Sequence, residues 1–437
     1  MISVNLLFIF IAAVSFLGFI INALFDKFKI TKIFPLILIG LLVGPVLGVV
    51  STGPGSILES LTPFITSIAI AFILFDVGLN LNLFKLGKVF ARATSFTLLL
   101  AFVTGLALSG IVYYLFGWNI IEALIFGFAL AGPSSIIVPT IIKLANLSQD
   151  LKTTLLYESV VTDSIQLIIP IILFSLLLTQ QITLTHIAVL VTDSIFGSIL
   201  FGASLALGWL YILKKFKNYS KQFSWMLTIT MVVATYGISQ QVGFNGALTI
   251  FVFSLIFSNV GARKFRVSPR KGEALKTQYL LGEIFNRLFY FEEVKYVKNY
   301  QSEVEFFTST FFFVYIGMLF SISGLDYNLL GGAAIITLVC LGLRYLSIPI
   351  LRPFMPKDPE PYALSKGVAA FNIPRGLSSA IVATLPLTFG FVIPGFLEEI
   401  FLIILFTNLA STIGVFWVHR SSAKLHSQHS KIKLGKK

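Results

Sequence analysis

The stretch Glu158-Ser159-Val160-Val161-Thr162-Asp163 lies inside an apolar run, residues 154–178, that is long enough to cross a bilayer. Two carboxylates in such a run cost several kcal/mol unless something pairs or binds them. Ser159 and Asp163 are four residues apart and share one helix face. Glu158 and Asp163 are five apart, roughly 140° round the helix at 3.6 residues per turn. The two acids therefore face different neighbours, and one can serve an ion while the other serves the fold.

Outward from that stretch the chain repeats the same kind of apolar run. Mean hydropathy is +0.92, 56% of residues are hydrophobic and 12% are charged, which excludes an ordinary soluble domain. Thirteen runs are expected to span: 3–24, 33–51, 57–81, 93–117, 119–143, 154–178, 185–213, 223–241, 243–258, 304–323, 328–350, 364–387 and 397–419. The first is too long, and lacks the basic start and small-residue cleavage site, for a signal peptide. Cys340 is the single cysteine and lies in a span, so neither a disulfide framework nor a clustered thiolate site is expected.

The net charge of +13 invites a nucleic-acid reading that its distribution opposes. Of the 32 Lys and Arg, 30 fall in alternate connections: 26–32, 82–92, 143–152, 214–221, 259–302, 351–366 and the tail from Arg420. The other two, Arg344 and Arg375, fall inside spans. The positive-inside rule then puts the N-terminus outside and the tail in the cytoplasm. The longest connection is 259–302, and its part from Ala274 to Tyr300 reads as a surface helix or a structured linker.

A weak internal repeat recurs after about seven spans. Phe72-Ile-Leu-Phe-Asp-Val-Gly-Leu79 in the third span echoes Phe312-Phe-Val-Tyr-Ile-Gly-Met-Leu319 in the tenth. Gly132-Pro133-Ser134-Ser135 interrupts the fifth span, and Pro374-Arg375-Gly376 the twelfth. Seven is odd, so the second copy is inverted in the membrane. Paired breaks in inverted spans point to a midplane site, where unwound backbone and half-helix ends become available to ions.

Asp163, near the middle of its span, is the expected cation- and proton-binding carboxylate. A charge there needs a proton or a cation beside it, so H⁺ and Na⁺ or K⁺ compete for one place. Ser134, Ser159 and Thr162, with the freed backbone at Pro133, offer the neutral oxygens that hard cations take. Asp76 is a further candidate ion ligand or a gate acid. Glu158 and Arg344 lie at similar depths, where a buried ion pair is the economical arrangement. Arg375 and Gly376 support the second break, Arg375 by capping freed carbonyls or balancing the negative charge. Asp193 reads as a hydrated or interhelical position. Glu59, Glu122, Asp326, Glu398 and Glu399 are expected to face water. No phosphate-binding loop, His/Cys ligand spacing or nucleophile elbow is present, which opposes an enzyme.

These residues resemble the monovalent cation–proton antiporters, specifically the NhaP-type sodium/proton antiporters. The family's Glu-Ser-x-x-Asn-Asp motif matches Glu158-Ser159-x-x-Thr162-Asp163, and its Phe-Glu-x-Gly-Leu segment matches Phe75-Asp76-Val77-Gly78-Leu79. Arg344 and Arg375-Gly376 match an Arg of its eleventh helix and an Arg-Gly turn of its twelfth. Pro35-Leu-x-x-x-Gly-Leu-Leu-x-Gly-Pro45 begins the resemblance, and residues 246–259 add to it.

The resemblance implies an all-α polytopic fold of thirteen transmembrane helices, with inverted repeats and two crossed, broken helices in spans five and twelve. It implies an interface domain of residues 1–81 and 223–323, a linker helix 185–213, a moving core of 90–178 and 328–419, and a basic tail 420–437. It implies a homodimer in the plasma membrane that exchanges Na⁺, or K⁺ or Li⁺, for H⁺ at Asp163, without a cofactor, in pH and sodium homeostasis. Two departures stand out. Thr162 replaces the family's Asn, or the second Asp of electrogenic relatives, which leaves one titrating acid and implies one-for-one exchange. Gly132-Pro133-Ser134-Ser135 stands where relatives have Thr-Asp-Pro. A sodium-coupled organic-anion symporter on a related fold is the alternative, with Arg375 as its available cation.

Overall fold

A computed structural model describes residues 12–21, 23–24, 33–49, 56–81, 90–143, 147–179, 184–261, 294–320, 326–355, 357 and 359–434. Among them the chain is helical, with no strand. Helices satisfy their own backbone groups, which is what a long apolar segment without water requires. In chain order they are α1 (Ala12–Ile21), α2 (Ile33–Leu41), α3 (Ile57–Asn80), α4 (Phe90–Phe116), α5 (Ile120–Ala129), α6 (Val138–Lys143), α7 (Gln149–Thr179) and α8 (Leu184–Lys215). They continue with α9 (Lys217–Val242), α10 (Gly246–Ile256), α11 (Val294–Leu319), α12 (Tyr327–Leu346), α13 (Pro359–Ala370), α14 (Leu377–Phe389) and α15 (Phe396–Leu434).

Six helices among the described residues are long and apolar enough to cross a membrane, and five apolar ones are shorter. The apolar runs of the sequence are thus not all single long helices. Span five divides into α5 and α6, and span twelve into the end of α13 and α14. Of the 259–302 connection, residues 262–293 lie outside the described residues. The flanks suit a lipid solvent: Leu99, Phe102, Val103 and Leu106 of α4 and Phe416 and Trp417 of α15 are exposed. The protein is a multi-pass membrane protein.

The chain forms two compact units. The first comprises Met1–Thr66, Lys88–Phe174 and Ser309–Lys437. There α2 meets α11 at Gly40, where the backbone of Val314 and Gly317 leaves no room for a Cβ. Trp118, Phe126 and Phe396 form an aromatic cluster with ring centroids 5.3–5.9 Å apart, tying α5 to the start of α15. Asn119 caps α5 and Glu122 completes the capping box, so this helix has a defined start.

The second unit comprises Ser67–Gly87 and Ser175–Thr308. Here α10 packs against α8 and α9, and Phe253 and Phe257 stack at 6.0 Å beside Phe75. The last carbonyls of α3 lack intrahelical partners. Ser258 donates to Leu79 O at 2.7 Å, which supplies one of them, and Asn259 donates to the O of Leu81, the residue after the helix, at 2.8 Å. Lys298 also reaches Leu79 O, at 3.1 Å.

Candidate functional site

In the first unit the two breaks meet. The first runs from Leu130 to Ile137 between α5 and α6, and the second from Phe371 to Gly376 between α13 and α14. Pro133 and Pro374 bring no N–H and hold their φ, so neither stretch continues a helical ladder. The backbone N–H of Ser134 donates to Pro374 O at 2.8 Å and joins the breaks directly. Gly376 packs on the Ser134 side chain so closely that a Cβ would collide with it.

α7 lays one face across this junction. Asp163 is 3% exposed and accepts one hydrogen bond on each oxygen. The N–H of Ser135 reaches Oδ2 at 2.8 Å, and the Ser378 hydroxyl reaches Oδ1 at 2.9 Å. One donor comes from the first break and the other from the first turn of α14. Three residues along α7, Gln166 donates to Gly132 O at 2.7 Å and accepts from Ser379 at 3.2 Å. Ser379 in turn lies 2.8 Å from Ala129 O. Gln166 thereby ties α7 to both half-helices.

The other sequence candidates take distinct places. Thr162 is buried, its Oγ1 lying 3.2 Å from Pro133 O and 2.9 Å from Glu158 O. It fits against Gly132, where any Cβ would strike it. Gly132→Ala is therefore expected to destabilise the protein by about 1–3 kcal/mol through overpacking, read as a lower melting temperature in detergent. Ser159 is buried and donates to Leu156 O at 2.9 Å, which leaves its oxygen lone pairs for another partner. The Ser134 hydroxyl is buried with no hydrogen-bond partner among the described residues.

Glu158 and Arg344 meet as a bidentate pair, at 1% and 3% exposure. Nη2 donates to Oε2 at 2.8 Å, Nη1 bonds Oε1, and Nε donates to Ala369 O at 2.8 Å near the end of α13. Arg375 lies buried at the second break, its Nη1 donating to the freed carbonyl of Ile373 at 3.1 Å and its Nη2 to Cys340 Sγ at 3.4 Å. Its backbone is held by Thr407 at 3.2 Å and Asn408 at 2.7 Å. Asp76 belongs to the second unit, partly buried, with Asn80 donating to Oδ2 at 2.8 Å. The side chain of Asp193 lies outside the described residues.

Glu399 departs from the sequence reading. Expected to face water, it is 0% exposed, packed beside Gly332, and its carboxylate has no hydrogen-bond partner among the described residues. The aromatic cluster at the start of α15 turns that part of the helix inward, which composition does not reveal. The sequence reading also passed over Ser135, Gln166, Ser378 and Ser379. Two signals are present: Gln166 falls on the Asp163 face, and the pair of hydroxyls Ser378-Ser379 follows Arg375-Gly376 after one residue, Leu377.

The arrangement places one buried carboxylate among neutral oxygens, where two interrupted helices meet. Residues 11–420 match the family described as sodium/hydrogen exchanger, transmembrane. A Na⁺/H⁺ antiporter NhaP of Pseudomonas aeruginosa is 29% identical over 204 residues, 45% of this chain and 47% of that protein. The matched region thus spans about half the length of that curated relative. The structure of the sodium proton antiporter MjNhaP1 from Methanocaldococcus jannaschii at pH 8 aligns with a TM-score of 0.68 at 17% identity, covering 95% of this chain and 97% of that one. An electron-microscopy map of the same antiporter aligns at 0.62 and 17% identity, covering 98% and 97%. At that identity the likeness is one of fold.

Proposed function

Because the chain belongs to the sodium/hydrogen exchanger family, we propose that it is a secondary transporter, not an enzyme, exchanging Na⁺ for H⁺ at Asp163. One observation supports the assignment to this residue: among the described residues Asp163 is the buried carboxylate that joins the first break to the start of α14, held by Ser135 N–H and Ser378 Oγ. On this reading Ser159, Ser134 and the Pro133 carbonyl, with Thr162 and Asp76 as further candidates, supply oxygens to the ion. K⁺ and Li⁺ are further substrates of the same class, since oxygen donors without a rigid cage discriminate weakly between them.

The cycle is alternating access. A proton or a cation neutralises Asp163, which lets the loaded site change the side it faces. The bare carboxylate disfavours that step, because an unneutralised charge is costly within the membrane. Thirteen spans with spans five and twelve crossing at the site, a core of 90–178 and 328–419 working against an interface domain, and a homodimer complete the reading. The orientation is that of the positive-inside pattern, N-terminus out and tail in the cytoplasm, at the plasma membrane, in pH and sodium homeostasis.

Exchange is one-for-one on this reading. Glu158 is committed to Arg344 and Thr162 cannot carry charge, so a single acid alternates between H⁺ and one cation. In proteoliposomes, transport should be indifferent to an imposed K⁺/valinomycin potential, with Na⁺ as the transported ion. A net charge of one would couple at about 2.3 kcal/mol per 100 mV, which would be plainly visible as a changed rate. Acceleration or reversal by the potential would show that a second proton moves, with Asp76 the first residue to suspect. Organic-anion symport has less support, since Arg375 directs Nη1 to Ile373 O and Nη2 to Cys340 Sγ, and only its buried Nε has no partner among the described residues.

A further inference from the structure

Ser378 touches the reacting carboxylate from the first turn of α14, just past the second break, and nothing in the motif around Asp163 announces it. Its side chain is 1% exposed and its Oγ lies 2.9 Å from Asp163 Oδ1. The partners of Asp163 differ in kind. The Ser135 N–H can only donate, whereas the hydroxyls of Ser378 and of Ser135, which also lies against the carboxylate, can donate or accept.

That difference matters because exchange takes the carboxylate through three states. The bare carboxylate needs donors, and Ser378 gives it one. The protonated acid carries an O–H of its own, which needs an acceptor. The Ser135 N–H has no lone pair to offer, whereas a hydroxyl does, and Ser378 Oγ is the one that α14 brings to Oδ1. A cation bound at Oδ1 would repel a hydroxyl proton pointing toward it. The hydroxyl can then turn, sending its hydrogen elsewhere and its lone pair to the ion. The first break, Gly132-Pro133-Ser134-Ser135, contributes no second carboxylate, so each neutral oxygen carries a larger share of the coordination.

We propose that the Ser378 hydroxyl is a direct ligand of the transported alkali cation and, in the proton-loaded state, the acceptor for the Asp163 O–H. Through it α14 responds to what Asp163 holds. The inference rests on the exchange reading above and adds a specificity-determining residue on the second break.

The full-length protein with Ser378→Ala, Ser378→Thr and Ser378→Cys tests it. Na⁺-driven proton movement is followed in proteoliposomes with a pH-sensitive dye, and melting temperature is titrated against NaCl in detergent. Ser378→Ala should raise the Na⁺ KM about tenfold, the equivalent of about 1.4 kcal/mol, with a smaller change in kcat. The NaCl midpoint of thermal stabilisation should rise by a similar factor, because ligand binding to the folded state sets that midpoint. Thr keeps the hydroxyl and should restore both, whereas the soft, weakly hydrogen-bonding thiol of Cys should not. If the alanine variant does not fold, the Thr/Cys contrast carries the test.

A merely structural serine would lower the melting temperature without Na⁺ and leave KM and the midpoint alone, and that result overturns the proposal. A wild-type protein that exchanges normally beside an Ala variant of unchanged KM defeats this inference alone. A wild-type protein with no Na⁺-, K⁺- or Li⁺-dependent proton movement defeats the exchange reading and this inference with it.

Discussion

Asp163→Asn abolishes cation/proton exchange, by at least about 100-fold in initial rate, while the protein still folds and inserts. The loss follows from what the group does: it must bind a proton, release it and accept a cation in its place, and an amide does none of these. The intact fold follows from the hydrogen bonds. Asparagine keeps the volume of aspartate and one acceptor oxygen. Turned toward Ser135, that oxygen accepts the N–H now given to Oδ2. The amide nitrogen then faces Ser378, whose hydroxyl accepts as readily as it donates. The second amide N–H and the Ser378 hydroxyl hydrogen then need new acceptors, so the melting temperature should fall somewhat, by the cost of an unpaired buried donor or about 1–3 kcal/mol, without loss of the fold. Initial rates of Na⁺-driven dye recovery in liposomes, beside a thermal scan of the same preparation, read both halves. Robust exchange by the variant would remove Asp163 from the site, and a collapse of the fold would show that its charge is structural.

Parts of this arrangement were legible in the sequence for reasons that are local. Glu158-Ser159-x-x-Thr162-Asp163 is visible because carboxylates are rare in apolar runs. Both breaks are visible because proline cannot donate to a helical ladder. What meets what is another matter. Helical periodicity places Gln166 on the face of Asp163, yet says nothing of Gly132 O and Ser379 on the other side. Ser378 lies 215 residues from Asp163, and a serine in an apolar helix looks ordinary until its partner is known. Glu399 shows the opposite failure. An acid near a helix start reads as solvated, but Phe396 is drawn into the aromatic cluster with Trp118 and Phe126, and the turn that carries Glu399 goes inward with it. Apolar length overstates continuity in the same way. By hydropathy alone 119–143 reads as one span, yet it holds two short helices, because hydropathy averages over the glycine and proline that divide it.

Breaking the Glu158–Arg344 pair destabilises the first unit by about 3–5 kcal/mol whichever partner is removed, since each removal leaves a lone buried charge. The two losses are not equal. Glu158→Gln keeps an acceptor for one guanidinium nitrogen and leaves a cation among neutral partners. Arg344→Ala leaves Glu158 without the cation that bonds it and also strips Ala369 O of the bond from Nε, an added cost of about 1–3 kcal/mol for an unpaired buried carbonyl. Arginine removal should therefore give the lower melting temperature. Replacing both, as Glu158→Gln with Arg344→Met, removes both charges and fills part of the guanidinium volume. The double variant should thus be more stable than Arg344→Ala alone, despite carrying one more change. Non-additivity is the diagnostic quantity, because contacting charges couple whereas separated ones add within about 0.3–0.5 kcal/mol. Exchange by the double variant separates two roles for the pair. If the pair serves only the fold, activity per folded molecule returns in part as stability does. If stability returns and exchange does not, the charge on Glu158 takes part in the cycle and one-for-one stoichiometry loses its basis. Strictly additive losses would mean that the two side chains do not meet in the folded protein.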